Sequence, residues 1–137
     1  MISATISECM TSDFAHISPS MPVAEASAKL IKKEIAGAPV IDEKGKLLGW
    51  ISEQECLKVT LQVVYHNMRV ATVEEVMRTD VVSIHLNEDP INVAQQMLGA
   101  KPKNYPVVDE NDKVIGVITR RRILEMLERK RSEMPHP

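Results

Sequence analysis

The sequence predicts a mixed α/β (α+β) fold built from two β-α-β-β-α repeats, and three observations carry that prediction. The chain repeats itself without gaps at an offset of 67 residues. Each copy holds two short apolar runs joined by a Gly/Asx turn, which is a hairpin signal. Each copy also holds one amphipathic stretch before the hairpin and one after it, at helical spacing.

The repeat is seen directly. Glu8-Cys9-Met10-Thr11-Ser12-Asp13 aligns with Glu75-Val76-Met77-Arg78-Thr79-Asp80. Pro39-Val40-Ile41-Asp42-Glu43 aligns with Pro106-Val107-Val108-Asp109-Glu110. Lys46-Leu47-Leu48-Gly49-Trp50-Ile51-Ser52 aligns with Lys113-Val114-Ile115-Gly116-Val117-Ile118-Thr119. Identities fall on turn residues and most substitutions keep apolar character, so architecture is retained while the surface drifts.

Each copy opens with an extended piece, Phe14 to Ile17 or Val81 to Ile84. A polar, Pro-containing turn leads to an amphipathic helix at about Val23 to Glu34 or about Pro90 to Ala100. Val23, Ala26, Leu30 and Ile31 mark its apolar face in the first copy; Ile91, Ala94, Met97 and Leu98 mark it in the second. The hairpins follow, Ala38–Ile41 with Lys46–Ile51 and Tyr105–Val108 with Lys113–Ile118. Asp42 and Asp109 fold the turns by bonding to nearby backbone. Ser52 and Thr119 suit the N-cap of the last helix in each copy. His66-Asn67-Met68-Arg69 is the expected break, and beyond Arg129 the chain is too polar to pack. The expected domains are 7–66 and 74–130, with a linker at 67–73 and a frayed tail at 131–137.

Composition narrows the function classes. Apolar residues make up 44 % and charged residues 26 %, as in ordinary globular proteins, while aromatics reach only 3 %. The core is therefore aliphatic, and an aromatic platform for stacking bases is lacking. A net charge of −2 argues against a broad nucleic-acid footprint. No apolar run matches a membrane span and no signal peptide is visible, so the expected location is the cytoplasm. Cys9 and Cys56 form no CxxC pattern and read as ordinary thiols. His16, His66, His85 and His136 show no metal-ligand spacing, and no nucleophile–base pair, P-loop, GxGxxG or GxSxG appears; an enzyme is not expected.

Taken in order and in both copies, Met-Thr/Arg-x-Asp, Pro-Val-Ile/Val-Asp and Gly-x-Ile-Ser/Thr resemble the tandem CBS-domain family (cystathionine β-synthase domain pairs, or Bateman modules) from roughly Ser7 to Arg129. The resemblance implies two repeats packed sheet on sheet with pseudo-two-fold symmetry. It implies two clefts that bind adenosine compounds such as AMP, ADP, ATP or S-adenosylmethionine, with no cofactor required. It also implies a regulatory role, dimerisation, and in this chain no room for an attached effector domain.

The family holds phosphate and ribose with Gly-h-h-Ser/Thr-x-x-Asp, where h is apolar. Unpaired N–H groups and the positive dipole end at a helix start stabilise an anion. The first copy has Ser52-Glu53-Gln54-Glu55, with Glu55 where the family has Asp. Glu55 fits either a ribose contact or a capping box with Ser52. The second copy has Thr119-Arg120-Arg121-Arg122, with Arg122 at the Asp position. Arginines in a first turn oppose the dipole at about 0.3–1 kcal/mol each, which a bound phosphate would offset. Neutralisation by Glu125 or by residues across an interface is the alternative. On the adenine side the resemblance points to Gly37, Ala38 and Pro39, and to Asn104, Tyr105 and Pro106 with Val82 and Ile84. Tyr105 reads equally as a base contact or as packing, and Lys101 and Lys103 flank that site.

Apolar residues in the last helices, Leu57, Leu61 and Val64 with Ile123, Leu124 and Leu127, form stripes that predict a homodimer. The function expected is thus an adenosyl-ligand sensor acting on a partner protein. The alternative is a ligand-free interaction module with degenerate clefts, favoured by the loss of Asp from both copies.

Overall fold

The computed structural model describes residues 3–99 and 103–135. In chain order the described elements are α1 (Ile6–Cys9), β1 (Met10–Thr11), α2 (Val23–Lys33), β2 (Gly37–Ile41), β3 (Leu47–Ser52) and α3 (Glu53–His66). They continue as α4 (Val73–Val76), β4 (Ile84–His85), α5 (Pro90–Met97), β5 (Asn104–Val108), β6 (Val114–Thr119) and α6 (Arg120–Ser132). Lys101 and the end of the expected helix at Ala100 lie outside the described residues, as does His136.

The elements gather into two compact units that do not coincide with the two sequence repeats. One takes the chain through Asp13, then 82–110, then the stretch from Ile115 onward. The other takes Phe14–Val81 and Asn111–Val114. They are called here the Thr119 unit and the Ser52 unit. Each receives a short piece from the other repeat.

In the Thr119 unit the strands run β1-β6-β5-β4. Met10 pairs antiparallel with Ile118 and Thr11 with Val117, while Ile84 and His85 run parallel to Val107 and Val108. The Ser52 unit repeats this plan more loosely. Its β2–β3 hairpin is flanked by a parallel bridge from Ile17 to Val40 and an antiparallel bridge from Arg78 to Trp50. The extended piece predicted at Phe14 to Ile17 is thus reduced to one bridging residue, and the β1 strand was not anticipated.

The edge pieces explain two signature motifs. A Cβ on Gly116 would stand 2.9 Å from both Met10 Sδ and the Thr11 carbonyl oxygen. On Gly49 it would stand 2.5 Å from the Arg78 carbonyl oxygen and 2.8 Å from Met77 Sδ. The repeated Met and the repeated Gly therefore pack on each other, and glycine is required because another backbone passes over it.

Turn chemistry sets the hairpins. Asp42 Oδ1 accepts from the N–H groups of Lys44 at 2.8 Å and Lys46 at 2.9 Å. Gly45 (φ 83°) and Asp112 (φ 64°), one repeat apart, take the left-handed conformation that closes each turn. Helix α3 ends where expected, at His66, with Asn67 left-handed (φ 51°). Pro22 bridges Thr72, and Val23 and Val73 donate to Ala71 and Met21, so the linker is tied to the start of α2.

Both cores are aliphatic. Ile17, Val23, Leu30, Val40, Ile51, Val59 and Val73 fill the Ser52 unit. Ile6, Ile84, Val93, Met97, Val107, Ile118 and Met126 fill the Thr119 unit. Two helix faces differ from expectation: Ile31, in the last turn of α2, and Leu98, the C-cap of α5, are exposed, while the adjacent Leu30 and Met97 are buried. Ile123 corrects the predicted exposed stripe, since it is 3 % exposed and packs in the core. Leu127 is partly buried against the same core, whereas Leu57, Leu61, Val64 and Leu124 are exposed. Helix α6 also runs to Ser132, past the point where polarity suggested an end, supported by Arg131 on Glu128 and Lys130 on Glu8.

Candidate functional site

The two helix starts share one construction. Glu53 N–H donates to the Ala36 carbonyl at 2.8 Å, and Arg120 N–H donates to the Lys103 carbonyl at 3.1 Å. The residue just before the first strand of each hairpin thus binds the first N–H of the following helix. What differs is how the remaining donors are used.

At the start of α3, Ser52 is the N-cap and forms a capping box with Glu55. Glu55 Oε1 accepts from the Ser52 N–H at 3.0 Å. Two carboxylates, Glu53 and Glu55, lie in the first turn and complement the dipole. Of the two readings of Glu55, the capping one is present in the geometry.

At the start of α6, Thr119 is the N-cap and its Oγ1 accepts from Arg122 N–H at 3.1 Å. Its hydroxyl proton remains available to an acceptor. Arg121 N–H, at the second helical position, has no intrahelical acceptor by construction. No carboxylate lies in this first turn. Arg120, Arg121 and Arg122 are all exposed. The ion pairs within and around α6 are Lys130–Glu8 and Arg131–Glu128. Neither takes an arginine of the first turn, and among the described residues no ion pair joins these arginines to Glu125, the alternative reading. One unused N–H, one hydroxyl and three arginines therefore belong to the N-cap and first turn of a 13-residue helix, at its positive end.

The remaining predicted residues fall in the same two units. Asn104 is half-buried, while Tyr105 and Pro106 are buried in β5 beside β6. Val82 is exposed and Ile84 is core. Tyr105 is 1 % exposed within the aliphatic cluster, so of its two readings packing is the one that describes it. Its hydroxyl finds no hydrogen-bond partner. In the Ser52 unit Gly37, Ala38 and Pro39 are buried in β2. Gly37 is covered by the Trp50 indole, whose Nε1 would be 2.5 Å from a Cβ there.

Burial pushes the Cys9 thiol up to about 11, helped by Glu8 and opposed by the positive charge of Arg122. Burial likewise raises Cys56. Both are protonated packing residues at neutral pH. Among the described residues no His/Cys/Asp/Glu group is placed to hold a metal ion, and no helix is long and apolar enough to cross a membrane.

Sequence reasoning found the helix starts but missed the partnership of Ala36 and Lys103 with them. It also missed the edge segments Met10–Thr11 and Met77–Arg78. The signal was present, since Met and Gly recur at the same offset, but nothing local joins Met10 to Gly116, 106 positions apart, or Met77 to Gly49, 28 apart.

Comparison with known proteins agrees with this architecture. The CBS domain model matches residues 6–61 and 73–129, and the chain belongs to the CBS-domain family as a tandem pair. The structure of CBSX2 from Arabidopsis thaliana aligns with a TM-score of 0.86 at 25 % identity, over 97 % of this chain and 100 % of that one. CBSX2 in complex with AMP aligns at 0.82 with 26 % identity, over 93 % and 98 %. The CBS domain pair of MJ0100, in complex with 5′-methylthioadenosine and S-adenosyl-L-methionine, aligns at 0.75 with 27 % identity, over 93 % and 98 %. Among curated relatives, the L-aspartate semialdehyde sulfurtransferase of Methanocaldococcus jannaschii is 34 % identical over 97 residues, which is 71 % of this chain. The chain spans only 18 % of that relative and between 22 % and 38 % of the next three. The CBS domain-containing protein YhcV of Bacillus subtilis is 29 % identical over 116 residues, 84 % of this chain and 79 % of that one.

Proposed function

We propose that this pair is a regulatory sensor of a phosphorylated adenosine compound, with the phosphate held at the start of α6. The observation that carries the proposal is the first turn of that helix. Arg120, Arg121 and Arg122 oppose the dipole, take part in no ion pair among the described residues, and stand beside the Thr119 hydroxyl and the Arg121 N–H. An anion offsets all of these at once. AMP bound to CBSX2, and the adenosyl compounds bound to the MJ0100 pair, support the ligand class.

The arginines narrow the choice. AMP, ADP and ATP carry phosphate for guanidinium forks, whereas methylthioadenosine carries none. The first repeat contributes little charge, because Glu55 is used as a cap and Glu53 repels phosphate. The protein acts as a homodimer in the cytoplasm, without chemistry of its own, and ligand shifts its affinity for a partner by favouring one arrangement.

Isothermal titration calorimetry with AMP, ADP, ATP, S-adenosylmethionine and methylthioadenosine tests this. Binding of at least one phosphorylated compound, weakened by salt and lost in Arg122→Glu, is expected. Absence of binding to all five sinks the proposal. It would favour a ligand-free interaction module, a reading supported by the engagement of Glu55 in its capping box.

A further inference from the structure

The described methionines fall into three classes by their surroundings. Met21, Met97 and Met126 are buried in the two cores. Met68 and Met134 are 53 % and 45 % exposed, beyond the ends of α3 and α6. Met10 and Met77 belong to neither class. They are partly buried, each packed against the core of its unit from an edge segment. They hold equivalent positions of the two repeats, and each lies on the glycine of the neighbouring strand. Their Sδ atoms stand 2.9 Å and 2.8 Å from where a Cβ on Gly116 or Gly49 would be. Each contact is confined to one unit.

A thioether needs no ionisation to react with a peroxide, whereas Cys9 and Cys56 are held protonated by burial. A sulfur lone pair attacks one peroxide oxygen, and the S–O bond forms as the O–O bond breaks. The departing oxygen takes the proton of the transferred one and leaves as water or an alcohol. Sulfur loses two electrons and the peroxide gains them. The sulfoxide is larger, polar and chiral. At Met68 and Met134 its oxygen enters water. At Met10 and Met77 the glycine backbone fills one side of the sulfur and the core side is apolar, so the oxygen is accommodated by lifting the side chain away. The ladders resisting this are short. Met10 pairs with Ile118 and Thr11 with Val117, while the other edge is held by the bridge of Arg78 to Trp50.

We propose that Met10 and Met77 are paired oxidation sites, at which conversion to the sulfoxide by a peroxide releases the edge segments and loosens both units. The module is thereby sensitive to oxidant independently of ligand.

Graded hydrogen peroxide on the intact protein, followed by dithiothreitol to restore thiols, tests this. Peptide mass mapping reads the conversion of each methionine, and melts followed by circular dichroism read Tm. Met68 and Met134 should convert first with Tm unchanged. Met10 and Met77 should convert next, with a fall in Tm of roughly 5 °C or more. Met21, Met97 and Met126 should convert only once the fold is lost. Trp50 is the sole tryptophan, so its emission should shift as Met77 converts and not as Met10 does. The two reductases specific for the sulfoxide epimers should together restore Tm and emission. A Met10→Leu, Met77→Leu double variant, similar in volume, should keep its starting Tm through the same treatment. Full conversion of Met10 and Met77 with Tm within about 1 °C of the untreated protein overturns the proposal. So does resistance of both until the fold is lost, or a fall in Tm that tracks Met68 and Met134. The time course on the native chain decides by these criteria even where the double variant does not fold.

Discussion

Replacing Gly49 with Ala tests the packing of the exchanged segment on the strand beneath it. The backbone at Gly49 is not left-handed, so alanine meets no conformational penalty there and any effect is steric. The new Cβ would lie 2.5 Å from the Arg78 carbonyl oxygen, where an ordinary contact is 3.4 Å or more. A backbone group cannot swing aside as a side-chain end can. The displacement needed, close to 1 Å, separates the pair in which Trp50 N–H donates to Arg78 O and Arg78 N–H donates to Trp50 O, each at 2.9 Å. Overpacking contributes about 1–3 kcal/mol, and each weakened backbone bond about 0.5–1.5 kcal/mol. The sum, about 2–6 kcal/mol, is a large part of the ~5–15 kcal/mol that holds a domain folded. For a chain of 137 residues it corresponds to a fall in Tm of roughly 7–21 °C. Thermal and urea melts followed by circular dichroism measure it. Gly99→Ala is the control, since its Cβ meets nothing nearer than 3.9 Å. Gly116→Ala should fall between the two, because one of its two obstacles is the pliable end of Met10. A Gly49→Ala melt within about 1 °C of the Gly99→Ala melt would refute the close approach.

Other expectations follow from single groups. Tyr105→Phe removes a buried hydroxyl that has no partner, so stability should be unchanged or higher by up to ~1–3 kcal/mol; a lower Tm would show that the hydroxyl is bonded in solution. Glu55→Ala should destabilise by about 0.5–2 kcal/mol through loss of the cap while leaving nucleotide affinity within about twofold, and a large affinity loss in calorimetry would return Glu55 to the ligand site. Glu75 is held from its ordinary 4.5 down to about 2 by Arg69, with further bonds from Thr72. Its folded value is depressed, so its stabilising effect is present above about pH 4.5 and is lost as pH falls toward 2. Glu75→Gln should flatten that part of the acid melt, and salt should shrink the difference because the pair is exposed.

Much of this was legible in the sequence, and the reasons are local. Ser52 and Thr119 announced the helix starts because a hydroxyl after a strand satisfies a helical N–H within three residues. Asp42 and Gly45 announced the hairpin turn for a similar reason. The break at Asn67 was visible as well. What escaped depends on distant partners. Met10–Thr11 is a strand only because Val117 and Ile118 lie beside it. Ile123 looked like part of an exposed stripe because its helical face is set by the core of the Thr119 unit, which periodicity over 13 residues does not orient. Tyr105 had two readings until burial decided between them. In the candidate site, the contrast between Ser52-Glu53-Gln54-Glu55 and Thr119-Arg120-Arg121-Arg122 was plain from residue type. That Glu55 is occupied, while the arginines are not, required coordinates.

The exchange of edge segments has an evolutionary consequence. A solitary repeat ending near residue 67 would carry Met10 and Thr11 but lack Met77 and Arg78, and its Gly49-Trp50 edge would be bare. Such an ancestor could complete that edge by lending its leading segment to a twin and borrowing the twin's in return. Duplication and fusion would then have turned an association that depends on concentration into one that does not. Once joined, the two halves could diverge at their helix starts, one towards self-capping and the other towards positive charge, without either losing the strand the other supplies.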